Sequence, residues 1–424
     1  MVAITTLLQC RSRAHTLTQE ELRHVMTNTE FEQEVATWFA ENTPVGWQQY
    51  VDELSYDEFE DFSRSWLTKL NAKGFAAPGV PKKWGGGGYS ASEQVAVYRA
   101  AGEAGAPPTE LFEVSLNHVP STFLSAGTPE QQEEFIRPAI EGTIWCQGFS
   151  EPGAGSDLAG ISTRAEKVPG GWKVNGQKIW TSHGTKARYC LLLARSDPDS
   201  TRHHGITYFI LDMRTEGITT RPIRQIHGPS GFAEVFFDDV FIPEPNVIGA
   251  VNDGWSVAQA TLAAERGPLS MPTIARLGNA LRKVLGDVAQ PTSESTLPFE
   301  NGHLAGRLAG MIARHAAVES LTLDTVELME SGKDSRSLAS LIKTSYSELL
   351  QESMDLATLT TPIDTLEDHG AHHFLGHVSG RWMVDWLASW SSTIAGGSNE
   401  IQRNIIAERI LGLPREPRLK GTIA

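Results

Sequence analysis

Apolar residues in the first third of the chain recur at three- and four-residue spacing. FEQEVATWFAEN and EDFSRSWLTKLNAKG both carry this pattern, the second stopping at a glycine, so the region from about Asn28 to Glu141 is expected to be helical. GTPEQQEEFIRPAIEG also carries its own boundaries. Thr128 is placed to cap the helix, Pro129 opens its first turn, Gln131 sits where a capping box closes, and Gly142 follows the end. The glycine run of KKWGGGGYS separates helices as a connector.

After residue 160 the period changes. GGWKVNGQKIWT, RYCLLLARS, GITYFILDM, ITTRPIRQI and AEVFFDDVFIP are short β-branched or aromatic runs bounded by Gly, Pro, Asp and Ser, which predicts a β-domain from roughly Ile144 to Gly249. Val174-Asn175-Gly176-Gln177 reads as a hairpin turn within it. From Trp255 onward the helical period returns in long, apolar-faced segments that suggest a bundle. QPTSESTLPFEN, from Gln290 to Asn301, is a polar connector between two of them.

Composition narrows the function. Of 424 residues, 40% are hydrophobic, enough to bury a large core divided among two or three units. Asp and Glu outnumber Lys and Arg by 51 to 36, giving a formal charge of -15, which opposes a nucleic-acid surface. Cys10, Cys146 and Cys190 form neither a C-x-x-C pair nor an even framework, so a reducing, cytoplasmic setting is expected, with no structural metal. No stretch approaches the continuous apolar length of a spanning helix, and no membrane association is expected.

The stretch at the junction between the helical region and the β-domain, FSEPGAGSDLAG, needs its own explanation. Gly153, Gly155 and Gly160 permit positive φ and close backbone approach, and Ser150, Ser156 and Asp157 can cap local backbone groups. It is neither a P-loop, which needs Gly-Lys-Ser/Thr, nor G-x-G-x-x-G, nor a nucleophile elbow. It looks made for a ligand that those motifs do not serve.

GFAAPGVPKKWGGGGYS, WCQGFSEPGAGSDLAGISTRA, GWKVNGQKIWTS, GITYFILDM, EVFFDDVFIPEPNVIG, LAAERG and TIAGGSNEIQRNIIAERILGLPRE follow one another in an order that resembles the acyl-CoA dehydrogenase family over nearly the whole chain. The resemblance implies an α+β fold: an N-terminal helical domain (1–143), a middle antiparallel β-barrel or sandwich domain (144–250) and a C-terminal four-helix bundle (251–424). It implies FAD beside Gln147, Phe149, Ser150, Gly155 and Ser156, with Ser156 also near the acyl-CoA. Trp180, Thr181 and Ser182 match the residues that stack beside the flavin and bond its hydride-accepting edge. Gly396 and Gly397 match backbone that reaches the thioester, and Ser398, Asn399 and Glu400 a segment touching FAD. Donors aimed at the flavin and at the thioester carbonyl would stabilise the charge that builds there.

Many family members carry the catalytic glutamate just before the glycine of the last motif, where this chain has Gly396. A smaller set carries it at the first position of a Glu-Arg pair on a bundle helix, which here is Glu265, with Arg266 shaping the substrate site. The implied reaction is α,β-dehydrogenation of an acyl-CoA to the trans-2-enoyl-CoA, with electrons passed to an electron-transfer flavoprotein or similar acceptor, in a homodimer or homotetramer. Two family segments that grip the FAD of a neighbouring subunit, Arg-x-x-Phe-Gly and Gln-x-x-Gly-Gly, are missing; the corresponding regions read ALRKVLGDVAQ and EDHGAHHFLGHVSG. That keeps open a weakly catalytic subunit completing the flavin site of a homologue in a heterotetramer, and a flavin monooxygenase on the same fold. His369, His372, His373 and His377 have metal-like spacing but no second ligand set, so a solvated or interface cluster is expected.

Overall fold

The computed structural model describes residues 19–226, 228, 231–264, 270–289, 302–333, 336–360 and 381–415. Helices α1 (Gln19–Asn42), α2 (Trp47–Asp52), α3 (Tyr56–Asn71), α4 (Ala91–Glu103), α5 (Val119–Ala126) and α6 (Pro129–Ile140) come first. Helices α3, α4 and α6 open on complete capping boxes: Ser55 with Glu58, Ser90 with Glu93, and Thr128 with Gln131. Each box satisfies two amides that the first helical turn would otherwise leave without acceptors. Gln131 does more, because its Nε2 donates to the carbonyls of Pro245 and Val247, both at 2.8 Å, and so ties α6 to the far end of the β-domain. The KKWGGGGYS connector turns through Gly85 and Gly88, both at positive φ.

The β-domain is one eight-stranded sheet, in the order β6-β7-β3-β2-β4-β5-β8, with β1 also paired to β4. Its strands are β1 (Trp145–Gly148), β2 (Arg164–Val168), β3 (Gly171–Ser182), β4 (Tyr189–Arg195), β5 (Ile206–Asp212), β6 (Ile218–Ile223), β7 (Phe232–Pro243) and β8 (Val247–Ile248). The framework is antiparallel, but β1 and β2 each pair with β4 in parallel, since the chain crosses over before it returns as β4.

The hairpin expected at Val174–Gln177 is not a turn. β3 runs straight through it, and the turn joining β2 to β3 lies earlier, at Gly170, with Val168 paired to Gly171. Asn175-Gly176 instead faces a bulge in β7: Val174 pairs with Val240 and Gly176 with Phe237, so the extra residue lies on β7, where Asp239 has φ 53. Asn175 exchanges two 2.9 Å bonds with Asp239 across the strands, and a Cβ on Gly176 would lie 2.6 Å from Thr163 Oγ1. A partner on a distant strand thus outweighs the local turn signal.

Alternation along β4 splits the core in two. Leu191 and Leu193 face the N-terminal helices, joining Phe112, Phe123, Phe135 and Trp145, whereas Cys190, Leu192 and Ala194 face the other side with Trp172, Phe209 and Val235. Burial on both faces explains why β4 reads as a continuous apolar run.

Helices α7 (Gly254–Ala264), α8 (Met271–Ala289), α9 (Gly302–Glu330), α10 (Arg336–Thr360), α11 (Trp382–Ser389) and α12 (Asn399–Ile405) follow. Helices α8 to α11 share a core of Leu277, Leu281, Leu308, Met311, Leu350, Met354 and Trp382. The bundle meets the N-terminal helices where α8 crosses α4 at Gly102, and Asn279 Nδ2 donates there to the carbonyls of Gly102 (2.8 Å) and Glu103 (3.0 Å). The Gln290–Asn301 connector and the histidines from His369 to His377 lie outside the described residues.

Candidate functional site

The loop that follows β1 is built around one buried ion pair. Lys178, on β3, is wholly buried, and its Nζ donates to Phe149 O at 2.9 Å and to Glu151 Oε1 at 2.8 Å. Glu151 also accepts from Ser162 N, Ser162 Oγ and Thr163 N, at 2.6 to 3.0 Å. The start of the loop is thereby clamped to the strand beneath it and to its own end. Burial works against both charges. Glu151 is nevertheless held down at about 2 by the Lys178 ammonium and by its donors, while desolvation pulls Lys178 below its ordinary range against the opposing pull of Glu151. Backbone bonds complete the clamp: Ile179 N to Ser150 O at 2.9 Å, and a reciprocal pair between Glu151 and Ala154, both at 3.0 Å.

The three loop glycines are not at positive φ, so the turn itself does not need them. Their role lies beside the backbone, because a Cβ on Gly153 or Gly155 would meet no protein atom within 4 Å. Ser156 and Gly155 are exposed and Ser150 is half-buried, whereas the Phe149 ring is buried against Tyr208, with centroids 5.6 Å apart. The structure thus turns the ring of Phe149 into the core and holds its carbonyl with Lys178.

β3 ends on a second bulge, a register shift between Lys178 and Thr181. Trp180 sits in it at φ 60, in the left-handed region that costs a bulky residue free energy. The residue is 55% exposed, and its ring meets that of Phe232 edge-on at 6.2 Å. Bulges near functional sites re-aim side chains, and this one turns a tryptophan outward next to the buried Thr181. Thr181 is fully buried, yet its Oγ1 has no hydrogen-bond partner, and the same holds for Gln147 Nε2 on β1. Buried polar atoms without partners cost ~1–3 kcal/mol each and call for a reason. An oxygen- and nitrogen-edged planar ligand lying along the loop would satisfy both.

His183, which the sequence reading did not single out, closes this strand end. It is buried at φ 52, with Nδ1 3.2 Å from the hydroxyl of Tyr56; burial lowers its basicity, while the carboxylate and backbone of Glu110 act to raise it. The Lys178–Glu151 pair was missed as well. Its signal was present, since Lys178 shares the inward parity of Trp172 and Val174 along β3.

A second group is anchored separately, on the bundle. Gly396 and Gly397 both have positive φ, 63 and 84, and their carbonyls accept from Gln402 Nε2 at 3.1 and 3.3 Å. Ser398 caps α12 through a 3.4 Å bond from Ile401 N. Buried Asn399 is fixed to α10: Lys343 Nζ and Ser347 Oγ donate to its Oδ1 at 2.7 and 3.0 Å. Glu400 is exposed on the first turn of α12; bonds to backbone and to Ser398 lower its carboxyl below the usual range. Glu265 and Arg266 lie outside the described residues. The helix that leads to them, α7, is tied to α5 by a 2.6 Å bond between Thr261 and Thr122.

Among the described residues no group of metal-ligating side chains is gathered in one place, and no helix is long and apolar enough to cross a membrane. Three family models match the chain: acyl-CoA dehydrogenase N-terminal domain over residues 27–143, middle domain over 146–240 and C-terminal domain over 252–411. Acyl-CoA dehydrogenase IpdE1 of Mycolicibacterium smegmatis is 35% identical over 415 residues, covering 91% of this chain and 98% of that protein. Acyl-CoA dehydrogenase FadE34 of Mycobacterium tuberculosis is 43% identical over 301 residues, 69% of this chain but only 39% of that longer protein. Among solved structures, the Tcur3481-Tcur3483 steroid ACAD aligns at TM-score 0.77 with 25% identity, over 92% of this chain and 98% of that one. The ChsE4-ChsE5 complex from Mycobacterium tuberculosis aligns at TM-score 0.76 with 28% identity, over 95% of this chain and all of that one.

Proposed function

Since the chain belongs to the acyl-CoA dehydrogenase family, we propose that it binds FAD along the Phe149–Gly160 loop and oxidises an acyl-CoA to the trans-2-enoyl-CoA. The observation that carries this reading is the pair of partnerless buried atoms, Gln147 Nε2 and Thr181 Oγ1, on strands at the two ends of the loop region, with Trp180 turned outward next to Thr181 and the loop glycines open on their Cβ sides. Ser150, Gly155, Ser156, Ser182, Ser398, Asn399 and Glu400 complete the cofactor contacts, and the buried Phe149 contributes through its backbone. Bound FAD supplies the acceptor for the β-hydrogen and its electron pair. Glu265 takes the α-proton onto its carboxylate, the Gly396 amide donates to the thioester carbonyl as charge moves onto that oxygen, and Gly397, Ser156 and Arg266 position the thioester. An electron-transfer flavoprotein or similar acceptor then receives the electrons.

Glu265→Gln tests the assignment. The variant is expected to keep its flavin and lose acyl-CoA-dependent bleaching by about 10²- to 10⁴-fold in stopped flow. An unchanged bleaching rate removes Glu265 from the mechanism.

A second reading is favoured by the missing Arg-x-x-Phe-Gly and Gln-x-x-Gly-Gly segments, together with the likeness to the Tcur3481-Tcur3483 and ChsE4-ChsE5 proteins, each named for two different chains. In it the chain shares its flavin site with a homologous partner in a heterotetramer. Purification alone separates the two: a yellow, acyl-CoA-reducible protein supports the self-sufficient enzyme, and a colourless one that takes up flavin only with a homologue supports the shared site.

A further inference from the structure

The end of β3 carries two residues in the left-handed region, Trp180 at φ 60 and His183 at φ 52, and they bracket Thr181 and Ser182. That conformation costs free energy for a residue with a Cβ and persists only where the surroundings over-determine it. Trp180 is held by the pairing of β3 with β7. At His183 the backbone is fixed from both sides: its N donates to Gly231 O at 2.7 Å, and its carbonyl accepts from Lys186 N at 2.9 Å and Ala187 N at 3.0 Å. The side chain is held from outside the β-domain. Its ring is buried, with Nδ1 3.2 Å from the hydroxyl of Tyr56 on the first turn of α3.

The direction of that bond follows from the two groups. Burial, with the carboxylates of Glu60 and Glu110, raises the Tyr56 phenol above its ordinary range, so the hydroxyl keeps its proton and donates. Nδ1 therefore accepts, which puts the ring hydrogen of a neutral His183 on Nε2, and burial favours that neutral form. The same turn reaches α3 a second time, since Lys186 Nζ lies 5.0 Å over the Tyr56 ring centroid and 2.6 Å from Asp57 Oδ1. Asp57 is exposed, and an exposed pair contributes little. The Tyr56–His183 bond is thus the specific link between the helical region and the strand end. Thr181 is fully buried with an Oγ1 that has no hydrogen-bond partner, and Ser182 is half-buried. A shift of His183 moves both, because they are its immediate predecessors in the strand.

We propose that Tyr56 and His183 are positioning residues for the cofactor: their bond fixes the left-handed strand end and so aims the hydroxyls of Thr181 and Ser182 at the flavin. The proposal rests on the flavin-site reading above. Donors held at the flavin edge stabilise the charge of the reduced ring, so misaligned donors loosen the flavin and lower its reduction potential. A tie that only joins the two regions leaves both unchanged.

Tyr56→Phe keeps the ring and deletes only the hydroxyl. The full chain, with the homologous partner if loading requires one, is expected to bind FAD about three- to tenfold more weakly, the change one lost hydrogen bond brings. Its bound flavin is expected to have a more negative midpoint potential and a shifted visible band. His183→Asn is expected to stay near the parent in all three, because Asn tolerates the left-handed conformation and carries Oδ1 as many bonds from the backbone as Nδ1. His183→Leu has no acceptor and should match or exceed Tyr56→Phe, and adding Tyr56→Phe to it should change nothing more. If His183→Leu does not fold, Tyr56→Phe with His183→Asn carries the test. Unchanged FAD affinity, potential and spectrum in Tyr56→Phe overturn the proposal, even with lowered stability, and leave the flavin-site reading standing. A parent chain that takes up no FAD, alone or with a homologue, overturns the reading and the proposal with it.

Discussion

Lys178 and Glu151 are the residues on which the loop geometry depends. Removing one partner of a buried ion pair strands the other, which typically costs ~3–5 kcal/mol, more than an exposed pair could ever contribute. Lys178→Met is therefore expected to lower the unfolding free energy measured in urea by that amount and to lose flavin, whereas Lys178→Met with Glu151→Leu recovers much of the stability but not the loop's grip on the Phe149 carbonyl. The pH dependence has a definite sign. The Glu151 carboxyl is depressed from 4.5 to about 2 in the folded chain, so its contribution is complete above about 4.5 and is lost as pH falls toward 2. That contribution is ~3 kcal/mol, and unfolding followed between pH 5 and 2 should show it in the native chain and not in the double variant. Single positions were only partly legible in the sequence. FSEPGAGSDLAG announced a ligand loop through its glycines, yet the carboxylate that fixes it looked like one more polar loop residue, because its partner lies on another strand.

Elements were more legible than their irregularities. Helix starts could be read from capping residues, and α6 begins at Pro129 behind Thr128 as the spacing predicts, since those signals act within one turn. The two bulges between β3 and β7 were not legible. Asn175-Gly176 imitated a hairpin, and nothing local marks Trp180 as left-handed, because both distortions are set by pairing with β7. Backbone strain retained at a site argues for use. Trp180→Gly removes the φ penalty and little packing from a half-exposed ring, so the variant is expected to be as stable as the parent or up to ~1–2 kcal/mol more stable by urea unfolding, while releasing flavin faster. Loss of stability equal to a core truncation would refute that account. The double-glycine turn makes the opposite prediction. Gln402→Leu deletes both bonds to the Gly396 and Gly397 carbonyls in a buried place, costing about 1–3 kcal/mol, and should lower kcat more than it raises KM for the thioester if the Gly396 amide acts as charge develops.

At the scale of the molecule, the N-terminal helices and the bundle form one structure at the crossing of α4 and α8, and the spacing of that crossing is set by a missing side chain. A Cβ on Gly102 would lie 2.6 Å from the Ala275 Cβ and 2.7 Å from the Pro272 carbonyl, with backbone on one side and a methyl on the other, so neither neighbour can rotate away. The sequence marks Gly102 only as a weak spot in a helix, because the reason for it sits about 170 positions later. Gly102→Ala must therefore push the helices apart, at a cost of ~1–3 kcal/mol despite the better helix propensity of alanine. Pro272, Thr273 and Arg276 also line a cavity of about 150 Å³ between the two helical layers, which the displacement is expected to widen. The expected signature is a split: a lower unfolding midpoint with flavin content and the flavin spectrum unchanged, since the loop proposed to hold the cofactor is clamped within the β-domain. A variant that kept its stability while losing flavin would make the crossing a support for the cofactor instead.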